Sequence, residues 1–469
     1  MMQLGDLLED LTLDVSTGRV EVSDVQVDSR ACGAGSLFFA LPGRVSHGAQ
    51  HAHDAVARGA VAVVAAERVE VEVPVVEVPA SQLRMLLAEA AAAVVGHPEL
   101  DVDLVGVTGT NGKTTVATLV ASLARAMGWN GASVGTLTNE RTTPAPPELF
   151  RTLARLAGEF EDARSRSVVA IEVSSHALDQ GRVDGLCFAA AAFTNLGHDH
   201  LDYHGTMEAY FAAKARLFES DRSRRAVIWV DDPYGWRLAQ STSLPVVEVR
   251  RADAGEVATS WRGSAFSWRG LTVTTPLIGG FNIDDALVAM AVAGSLGASD
   301  EAVAEAMSRV ETVPGRFEVV ARGDVVVVVD YAHTPEGLER ILRDVRELTP
   351  HGRVVTVFGC GGDRDREKRP LMGEVASRLS DAVVVTSDNP RNESPGAIAE
   401  AVAAGAGPGA DVRVVLDRRA AIGDALGAAL AGDVVVIAGK GHETTQTIGD
   451  EVVAFDDRAV ARELLEARC

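Results

Sequence analysis

The residues with the clearest chemical potential lie in the segment VGVTGTNGKTT, residues 105–115. It follows an apolar run and precedes a helical pattern that begins near Val116. Glycines let a backbone curl so that successive N–H groups point at phosphate oxygens, and a helix N-terminus adds partial positive charge. Lys113 is placed to reach the β- and γ-phosphates of a nucleotide, and the Thr114 hydroxyl to bind Mg²⁺. The segment therefore predicts a nucleotide-binding loop.

The spacing of this loop differs from the common phosphate-binding pattern G-x-x-x-x-G-K-[ST]. That pattern requires glycine at position 107, where the chain has Val107. The first glycine of this loop is instead Gly109, three residues before Gly112. A plain structural turn is the alternative interpretation. The position of the loop between a strand and a helix favours nucleotide binding.

A second group of polar residues follows two later apolar runs. Residues 171–176 (IEVSSH) contain Glu172, which is placed to complete a Mg²⁺ shell begun by Thr114, since Mg²⁺ prefers oxygen ligands. Ligands bind at the carboxyl ends of strands in open α/β sheets. Zinc is less favoured because no thiolate is near. A hydrogen-bonded loop with solvated histidines is the structural alternative for the polar residues of 193–204, which are His198, Asp199, His200 and Asp202.

The elements that must position these residues alternate along the chain. Short apolar runs are separated by segments of helical period, which is typical of parallel sheets covered by helices on both faces. We therefore predict an α/β fold with doubly wound parallel sheets. The apolar runs are residues 60–66, 104–107, 168–173, 188–193, 226–230, 325–329, 353–358, 382–386 and 433–438.

Length and turn residues indicate three domains. The chain has 469 residues, and at ~150 residues per domain three is the natural division. Proline and glycine punctuate the sequence at 96–98 and again at 313–316. These points divide the chain into predicted domains 1–97, 98–313 and 314–469.

Composition excludes several classes of protein. With 44 Lys+Arg against 66 Asp+Glu, the formal net charge is −22, so a nucleic-acid coat is not expected. No run approaches the ~18 apolar residues of a membrane helix, and the acidic start lacks the features of a signal peptide. No metal-ligand spacing joins the four cysteines, so a reduced cytoplasmic setting is expected. They are Cys32, Cys187, Cys360 and Cys469.

Eight motifs, taken in order, resemble those of the Mur ligases over nearly the whole chain. They are TGTNGKTT (108–115), EVSSHAL (172–178), FTNLGHDHLDYHGTMEAYFAAKARLF (193–218), PGRFE (314–318), DYAHTPE (330–336), GCGGDRDREKRP (359–370), DNPR (388–391) and GKGHE (439–443). The resemblance implies three domains: an N-terminal uridine-nucleotide-binding α/β domain, a central P-loop-type ATP-binding domain, and a Rossmann-like domain for the incoming amino acid.

The resemblance also implies a reaction in peptidoglycan precursor synthesis. The D-Glu carboxylate of UDP-N-acetylmuramoyl-L-Ala-D-Glu attacks the γ-phosphate of ATP and becomes an acyl phosphate. The amine of a diamino acid then displaces phosphate. ATP is required because a carboxylate is a poor electrophile. Closure of the domains around 314–316 is expected to exclude water from the acyl phosphate.

The resemblance assigns two sets of binding residues in this sequence. The ATP set is Gly109, Thr110, Asn111, Gly112, Lys113, Thr114, Thr115, Arg316 and Asp330. The set for the UDP-linked acceptor is Val27, Ser29, Arg44, Val45, Ser46, Thr142, Thr143, Ser174, Gln180 and Arg182. Asp285 departs from the family, which usually has a second asparagine there, near adenine.

The implied catalytic group is Lys113, Glu172, His200 and Lys214, and the implied metal ligands for two Mg²⁺ ions are Thr114, Glu172, His200 and Lys214. A lone lysine on a helix is ordinarily a solvated charge. Lys214, however, matches the carbamylated lysine of the family. Carbamylation by CO₂ replaces the positive charge with a carboxylate-like metal ligand, whereas an ammonium would repel the metal.

The DNPR box is the family's mark for meso-diaminopimelate, whose distal carboxylate suits an arginine fork. The implied amino-acid site is Arg364, Asp388, Asn389, Pro390, Arg391, Gly439 and Glu443. LL-diaminopimelate and L-lysine remain alternatives, and an Asp/Pro turn is the structural alternative for the box. A folylpolyglutamate-synthase-like ligase and a non-catalytic nucleotide-binding scaffold are the rival functions. Small-molecule partners, neither nucleic acid nor membrane, and a monomer are expected.

Overall fold

Three β-sheets, parallel apart from one edge strand of the last, follow one another along the chain, each packed against helices. The computed structural model describes residues 1–9, 11, 14–43, 47–139, 141–160 and 164–467. Within those residues, no helix combines the length and the apolar character needed to cross a membrane. This succession of sheets confirms the predicted α/β class.

The N-terminal sheet has four parallel strands, with the chain running across it in sequence order. Its strand Ser36–Ala40 is buried along its whole length, as expected for a strand covered on both faces. The predicted run 60–66 forms the strand Ala60–Ala65. The strands are Asp24–Gln26, Ser36–Ala40, Ala60–Ala65 and Val75–Glu77.

The central sheet has six parallel strands and carries the phosphate loop at its middle. Along Asp103–Thr108, Leu104 packs into one core, whereas Val105 and Val107 pack into the core on the opposite face. Alternation between two buried faces is what the continuous apolar runs predicted. In spatial order the strands are Val246–Val249, Ala226–Trp229, Ala190–Phe193, Asp103–Thr108, Ser167–Glu172 and Asn130–Val134.

The prediction for one central strand was too long at its start. The run 188–193 forms a strand only over Ala190–Phe193, and Phe188 makes an isolated bridge to Ser223. The apolar runs also did not predict a three-stranded antiparallel sheet, which follows the central sheet along the chain. Its strands are Ala254–Ser260, Gly263–Trp268 and Leu271–Thr275.

The C-terminal sheet has six strands, all parallel except the antiparallel edge strand Glu318–Arg322. In spatial order they are Glu318–Arg322, Val326–Asp330, Val434–Ala438, Val354–Phe358, Ala382–Val385 and Val412–Val414. A hairpin, Thr445–Ile448 with Glu451–Ala454, follows the sheet.

Helices connect and cover these sheets. The longer helices start at residues that suit a helix N-terminus, such as Pro146, Pro335 and Pro395 at the first helical position. The helices of eight or more residues are Leu83–Val94, Lys113–Ala126, Pro146–Glu159, Met207–Ala215, Pro233–Ser241, Gly280–Ser295, Asp300–Met307, Pro335–Leu348, Lys368–Leu379, Pro395–Ala403, Arg418–Ala428 and Asp457–Glu466.

Candidate functional site

The largest concentration of predicted site residues surrounds one cavity of about 530 Å³ between the central and C-terminal sheets. Its lining combines the phosphate loop with residues that follow other strands of both sheets. Parallel strands deliver their carboxyl-end loops to one edge, which explains this convergence. The predicted site residues in the lining are Thr110, Asn111, Gly112, Lys113, Thr114, Thr115, Thr142, Glu172, Ser174, His200, Lys214, Arg316, Asp330, Arg364, Asp388, Asn389, Arg391, Gly439 and Glu443.

The phosphate loop is hydrogen-bonded to a neighbouring loop, residues 194–197. The Asn195 carbonyl accepts the Thr110 N–H at 2.9 Å, and the Asn195 side chain accepts the Asn111 N–H at 2.9 Å. Gly109 has no room for a side chain, because a Cβ there would lie 1.9 Å from Thr194 Oγ1. The N-cap residue Gly112 has φ +84°, a left-handed conformation that suits glycine. The unusual glycine spacing thus serves a tightly packed loop.

Lys113 begins the helix after the loop and folds back over it. Its Nζ donates to the Gly109 carbonyl at 2.9 Å and to the Thr110 carbonyl at 2.7 Å. Burial lowers the pKa of Lys113. The ammonium is therefore positioned by the loop's own backbone, and Lys113 lines the cavity.

Glu172 lies at the end of its strand and next to the loop. Its Oε2 accepts from Thr114 Oγ1 at 2.9 Å, and its Oε1 accepts the Thr136 N–H at 2.8 Å. A Cβ on Gly135 would lie 2.0 Å from Glu172 Oε1, so the carboxylate fits closely against that backbone. The structure thus brings together the hydroxyl and carboxylate that the sequence paired as magnesium ligands.

Lys214 is buried rather than solvated, with only 1% of its surface exposed. Its Nζ donates to the Gly109 carbonyl at 2.7 Å and lies 4.6 Å from the centre of the Tyr210 ring. Burial, with the charge of Lys113 nearby, lowers the pKa of Lys214 well below its usual value. The general expectation that a lone lysine on a helix is a solvated charge is therefore wrong for Lys214. The residue to which the family resemblance assigns a role lies in the interior of the protein.

His200 faces the same cavity from the loop after the strand Ala190–Phe193. It has φ +54°, and its Nε2 lies 3.5 Å from Asp199 Oδ2. Burial lowers the pKa of His200 to about 4, which leaves a neutral imidazole. The His176 ring packs edge-on at 4.9 Å between ring centres.

The donor set suits a hard divalent cation. Thr114 and Glu172 offer adjacent oxygens, the donor type that Mg²⁺ prefers together with substrate phosphates. His200 adds a neutral nitrogen. In the part of the chain that the structure describes, no three His, Cys, Asp or Glu side chains form a metal site by themselves.

Arg316 connects the C-terminal domain to the phosphate loop. Its Nη2 donates to Thr114 Oγ1 at 3.2 Å, and its guanidinium lies 4.2 Å from the centre of the Tyr331 ring. Asp330 accepts the N–H groups of Phe317 and Ala332, each at 2.7 Å. Asp330 thereby fixes the turn that carries Arg316, and burial raises the pKa of Asp330.

The residues expected to hold the muramoyl-peptide form a hydrogen-bonded group behind Glu172. Thr143 Oγ1 donates to the Glu172 carbonyl at 2.7 Å and accepts the Ser174 N–H at 3.1 Å. Arg182 Nη1 donates to the Thr143 carbonyl at 2.9 Å, and its Nη2 to Gln180 Oε1 at 2.7 Å. Of this group, Thr142 and Ser174 line the cavity.

The residues expected to contact the uridine nucleotide lie elsewhere. Val27 and Ser29 belong to the N-terminal sheet region, where Ser29 is buried in a short 3₁₀ turn, and neither lines the cavity. Arg44, Val45 and Ser46 lie outside the described residues.

Two loops of the C-terminal sheet form the opposite wall. The loop 388–391 follows the strand Ala382–Val385, and the loop 439–443 follows the strand Val434–Ala438. Asn389 Nδ2 donates to Glu443 Oε2 at 2.8 Å and joins the loops. Arg391 Nη1 donates to the Gly362 carbonyl at 2.7 Å. Pro390 is buried but does not line the cavity.

Lys440 is a functional candidate that the sequence reasoning missed. It has no exposed surface, and its Nζ donates to Glu443 Oε2 at 2.9 Å and to Asn389 Oδ1 at 3.2 Å. Glu443 therefore already has a cationic partner within the protein. The signal was present, since Lys440 lies inside the GKGHE motif, but only the flanking residues received roles.

Asp285 lies against the phosphate loop and is nearly buried, with 8% exposure. A Cβ on Gly112 would lie 2.4 Å from Asp285 Oδ1, and the carboxyl accepts a hydrogen bond from the Thr115 side chain. Burial, with the negative charge of Asp284 beside it, raises the pKa of Asp285 to about 8. At neutral pH this carboxyl is a neutral group, like the asparagine of the family.

This protonation makes a prediction about stability. A carboxyl whose pKa is raised on folding favours the native state at low pH, and that advantage is lost as pH rises towards the folded pKa. The variant Asp285→Asn should therefore gain stability relative to the native chain from about pH 4 to pH 8, by up to about 1.4 kcal/mol per pH unit, and level off above pH 8. Denaturant unfolding at several pH values measures this difference. A difference independent of pH would contradict a raised pKa for Asp285.

The fold and site define a class: a three-domain α/β enzyme with a nucleotide-binding loop in its central sheet. Comparison with family models identifies it further. "Mur ligase family, catalytic domain" matches residues 21–101, "Mur ligase middle domain" residues 107–293, and "Mur ligase, glutamate ligase domain" residues 315–441. The chain belongs to the Mur ligase family.

Individual relatives are named as ligases of one kind. The UDP-N-acetylmuramoyl-L-alanyl-D-glutamate–2,6-diaminopimelate ligase of Geobacillus kaustophilus is 43% identical over 96% of each chain. A solved structure of a ligase with the same name is 31% identical, with a TM-score of 0.69 over 100% of this chain and 99% of that one. A MurF ligase from Thermotoga maritima in complex with ADP shares the fold, with a TM-score of 0.64 at 18% identity over 96% of this chain and 99% of that one.

Proposed function

We propose that this chain is the ATP-dependent ligase that adds meso-diaminopimelate to UDP-N-acetylmuramoyl-L-alanyl-D-glutamate. The names of its relatives, which are 2,6-diaminopimelate ligases for that acceptor, support the proposal. The observation that carries the proposal is the shared cavity. The phosphate loop lines one wall, and the loops 388–391 and 439–443 line the other. A ligase that couples phosphoryl transfer to amide formation needs both sites to open on the same space.

The proposed reaction has two steps. The D-Glu carboxylate attacks the γ-phosphorus of ATP, the bond to the bridging oxygen breaks, and ADP leaves. The amine of the diamino acid then attacks the acyl phosphate, its proton is lost, and inorganic phosphate leaves as the amide forms. Lys113 and the loop N–H groups stabilise negative charge on the transferred phosphoryl group, and Arg316 approaches it from the C-terminal domain.

Two Mg²⁺ ions are part of the proposal, with Thr114, Glu172, His200 and carbamylated Lys214 as their protein ligands. Bound Mg²⁺ would neutralise phosphate charge. The contact between Thr114 and Glu172 supports this role, because it places two oxygen donors beside the phosphate loop. Thr136 donates to Glu172 through both its N–H and its hydroxyl, and so orients the carboxylate.

Carbamylation of Lys214 is supported by its surroundings. A neutral amine attacks the carbon of CO₂, an N–C bond forms, one proton leaves, and a carbamate remains. The interior position of Lys214, without a carboxylate among its hydrogen-bond partners, favours the neutral amine. The conversion places an anion near the charge of Lys113.

The proposed amino-acid site offers both cationic and anionic side chains to the zwitterionic distal end of the diamino acid. Arg364 and Arg391 suit its carboxylate, and Glu443, which also accepts a hydrogen bond from Lys440, suits its ammonium. Asp388 Oδ1 is a buried oxygen without a hydrogen-bond donor among the described residues, and the Lys440 ammonium lies 3.6 Å from it. We assign residues 1–97 to binding of the uridine nucleotide, residues 98–313 to binding of ATP and residues 314–469 to binding of the amino acid. We also propose that the protein is a cytoplasmic monomer and serves cell-wall synthesis.

Phosphate release tests this function. With UDP-N-acetylmuramoyl-L-Ala-D-Glu, ATP and Mg²⁺, we expect release to depend on meso-diaminopimelate, with LL-diaminopimelate and L-lysine as parallel reactions. Release with L-lysine alone would keep the ligase but contradict the interpretation of Arg391. No release with any of the three would favour a folate-type ligase or a non-catalytic scaffold, and pteroate-dependent ATP hydrolysis would separate those two.

A further inference from the structure

Arg418 is fully buried beneath the amino-acid wall and has received no role so far. Its Nε and Nη2 donate to the two carboxylate oxygens of Asp457, each at 2.7 Å, and both side chains have no exposed surface. Such a two-point pair fixes the plane of the guanidinium. Arg418 begins its helix, and Asp457 begins the helix Asp457–Glu466.

The remaining donors of Arg418 reach two backbone carbonyls. Nη2 donates to the Ala438 carbonyl at 2.9 Å, and Nη1 donates to the Ser387 carbonyl at 3.2 Å. Ala438 directly precedes the loop 439–443, and Ser387 directly precedes the loop 388–391. One side chain thus touches the base of both loops that line the amino-acid side of the cavity.

The sheet relates these two bases only indirectly, through the strand between them. The strands Val434–Ala438 and Ala382–Val385 are not neighbours, because Val354–Phe358 lies between them. Both pair with that middle strand, but Ser387 lies two residues beyond the last paired residue of its strand, Val385. Beyond the ladders, the separation of the two loops therefore depends on what spans the middle strand. Arg418 makes that span from below, while Lys440 and Asn389 join the loops from the cavity side.

We propose that Arg418, oriented by Asp457, is the positioning residue that sets the separation of the loops 388–391 and 439–443 for the incoming amino acid. The inference rests on the proposed function. Arg418 does not line the cavity, so it acts through the loops and does not contact the substrate. A shift of the loops would misplace Asp388 and Arg391 on one side against Glu443 on the other.

The test is Arg418→Lys in the full chain. A lysine has no planar fork, so it cannot hold Asp457 by two hydrogen bonds and span both carbonyls. We expect KM for meso-diaminopimelate to rise at least about tenfold, while KM for ATP and for the UDP-linked acceptor stays within about twofold. Asp457→Asn, which keeps the arginine but weakens its orientation, should change the same KM by a smaller factor.

The chain offers a control at the opposite end of the strands of the same sheet. Arg346 donates to Asp381 at 2.6 Å and to the carbonyls of Gly352 and Leu379 at 3.3 Å. Like Arg418 it joins a carboxylate and two backbone carbonyls, although through a single hydrogen bond to the carboxylate and with 36% of its side chain exposed. These contacts lie near the amino ends of strands and away from the cavity. Arg346→Lys should leave all three KM values within about twofold of the native chain.

The outcomes separate this inference from the proposed function. If the native chain shows no amino-acid-dependent phosphate release, the function fails. If the native chain is active and Arg418→Lys keeps its KM for meso-diaminopimelate, the positioning role is overturned. A parallel loss for all substrates, or an equal effect of Arg346→Lys, overturns it as well. Should Arg418→Lys not fold, Asp457→Asn decides by the same criterion.

Discussion

Replacing Lys214 by glutamine is expected to lower kcat by about 10³-fold, because the proposed carbamate ligand of Mg²⁺ and its charge would be lost next to the transferred phosphoryl group. Glutamine keeps much of the length of lysine and can still donate to the Gly109 carbonyl, so the fold should survive. The measurement is phosphate release at saturating substrates, with thermal unfolding as a check on the fold.

Arginine at position 214 sharpens this test. An arginine keeps a positive charge but stays protonated and does not react with CO₂. If the role of Lys214 is only its cationic charge, Lys214→Arg should keep activity. If the role is carbamylation, Lys214→Arg should be as inactive as Lys214→Gln, and the native chain under ¹³CO₂ should show a carbamate carbon signal that both variants lack. A native chain without that signal and an active Lys214→Arg would contradict carbamylation.

The positions of the few lysines in the chain bear on this test. Of 44 Lys+Arg, only four are lysines and 40 are arginines. Lys113, Lys214 and Lys368 line the cavity, and Lys440 contacts the amino-acid loops. Arginine supplies the remaining cations, including Arg316, Arg364 and Arg391 in the same cavity. All four lysines thus lie at or beside the site, where a compact charge, or an amine that can lose its proton, differs from a guanidinium.

The parts of the molecule that sequence could predict are those set by local pattern. The continuous apolar run 325–329 became the strand Val326–Asp330, because a strand buried on both faces requires such residues along its whole length. The convergence of the phosphate loop with Glu172 followed from the position of both at carboxyl ends of strands. The antiparallel sheet 254–275 was missed because its strands alternate apolar with Ser, Thr and Gly residues that also suit loops.

What sequence could not supply was long-range pairing. Arg418 lies 39 positions from Asp457, and nothing local marks either residue as buried. Lys440 was visible in its motif, but its carboxylate partner and its full burial depend on the packing of two separate loops. The same holds for Asp285, whose raised pKa arises from its position against the phosphate loop.

Replacing Lys113 by alanine is expected to reduce kcat for phosphate release by about 10²–10³-fold or more, because a preorganised cation at the transferred phosphoryl group is lost. Its Nζ now spans the carbonyls of Gly109 and Thr110. The loop itself is held by Asn195 and Thr194 through other bonds, so its backbone should keep its shape. The variant should therefore fold normally while failing in the first chemical step.

Trapping with hydroxylamine determines which of the two chemical steps is slowed in Lys113→Ala. Hydroxylamine converts an acyl phosphate to a hydroxamate, so trapping without the diamino acid reports the first step alone. Lys113→Ala should lose this signal in proportion to kcat, because Lys113 acts on phosphoryl transfer. Arg125→Ala, on the last turn of the same helix and half exposed, should keep it. Normal trapping with slow amide formation would move the role of Lys113 to the second step and contradict the assignment.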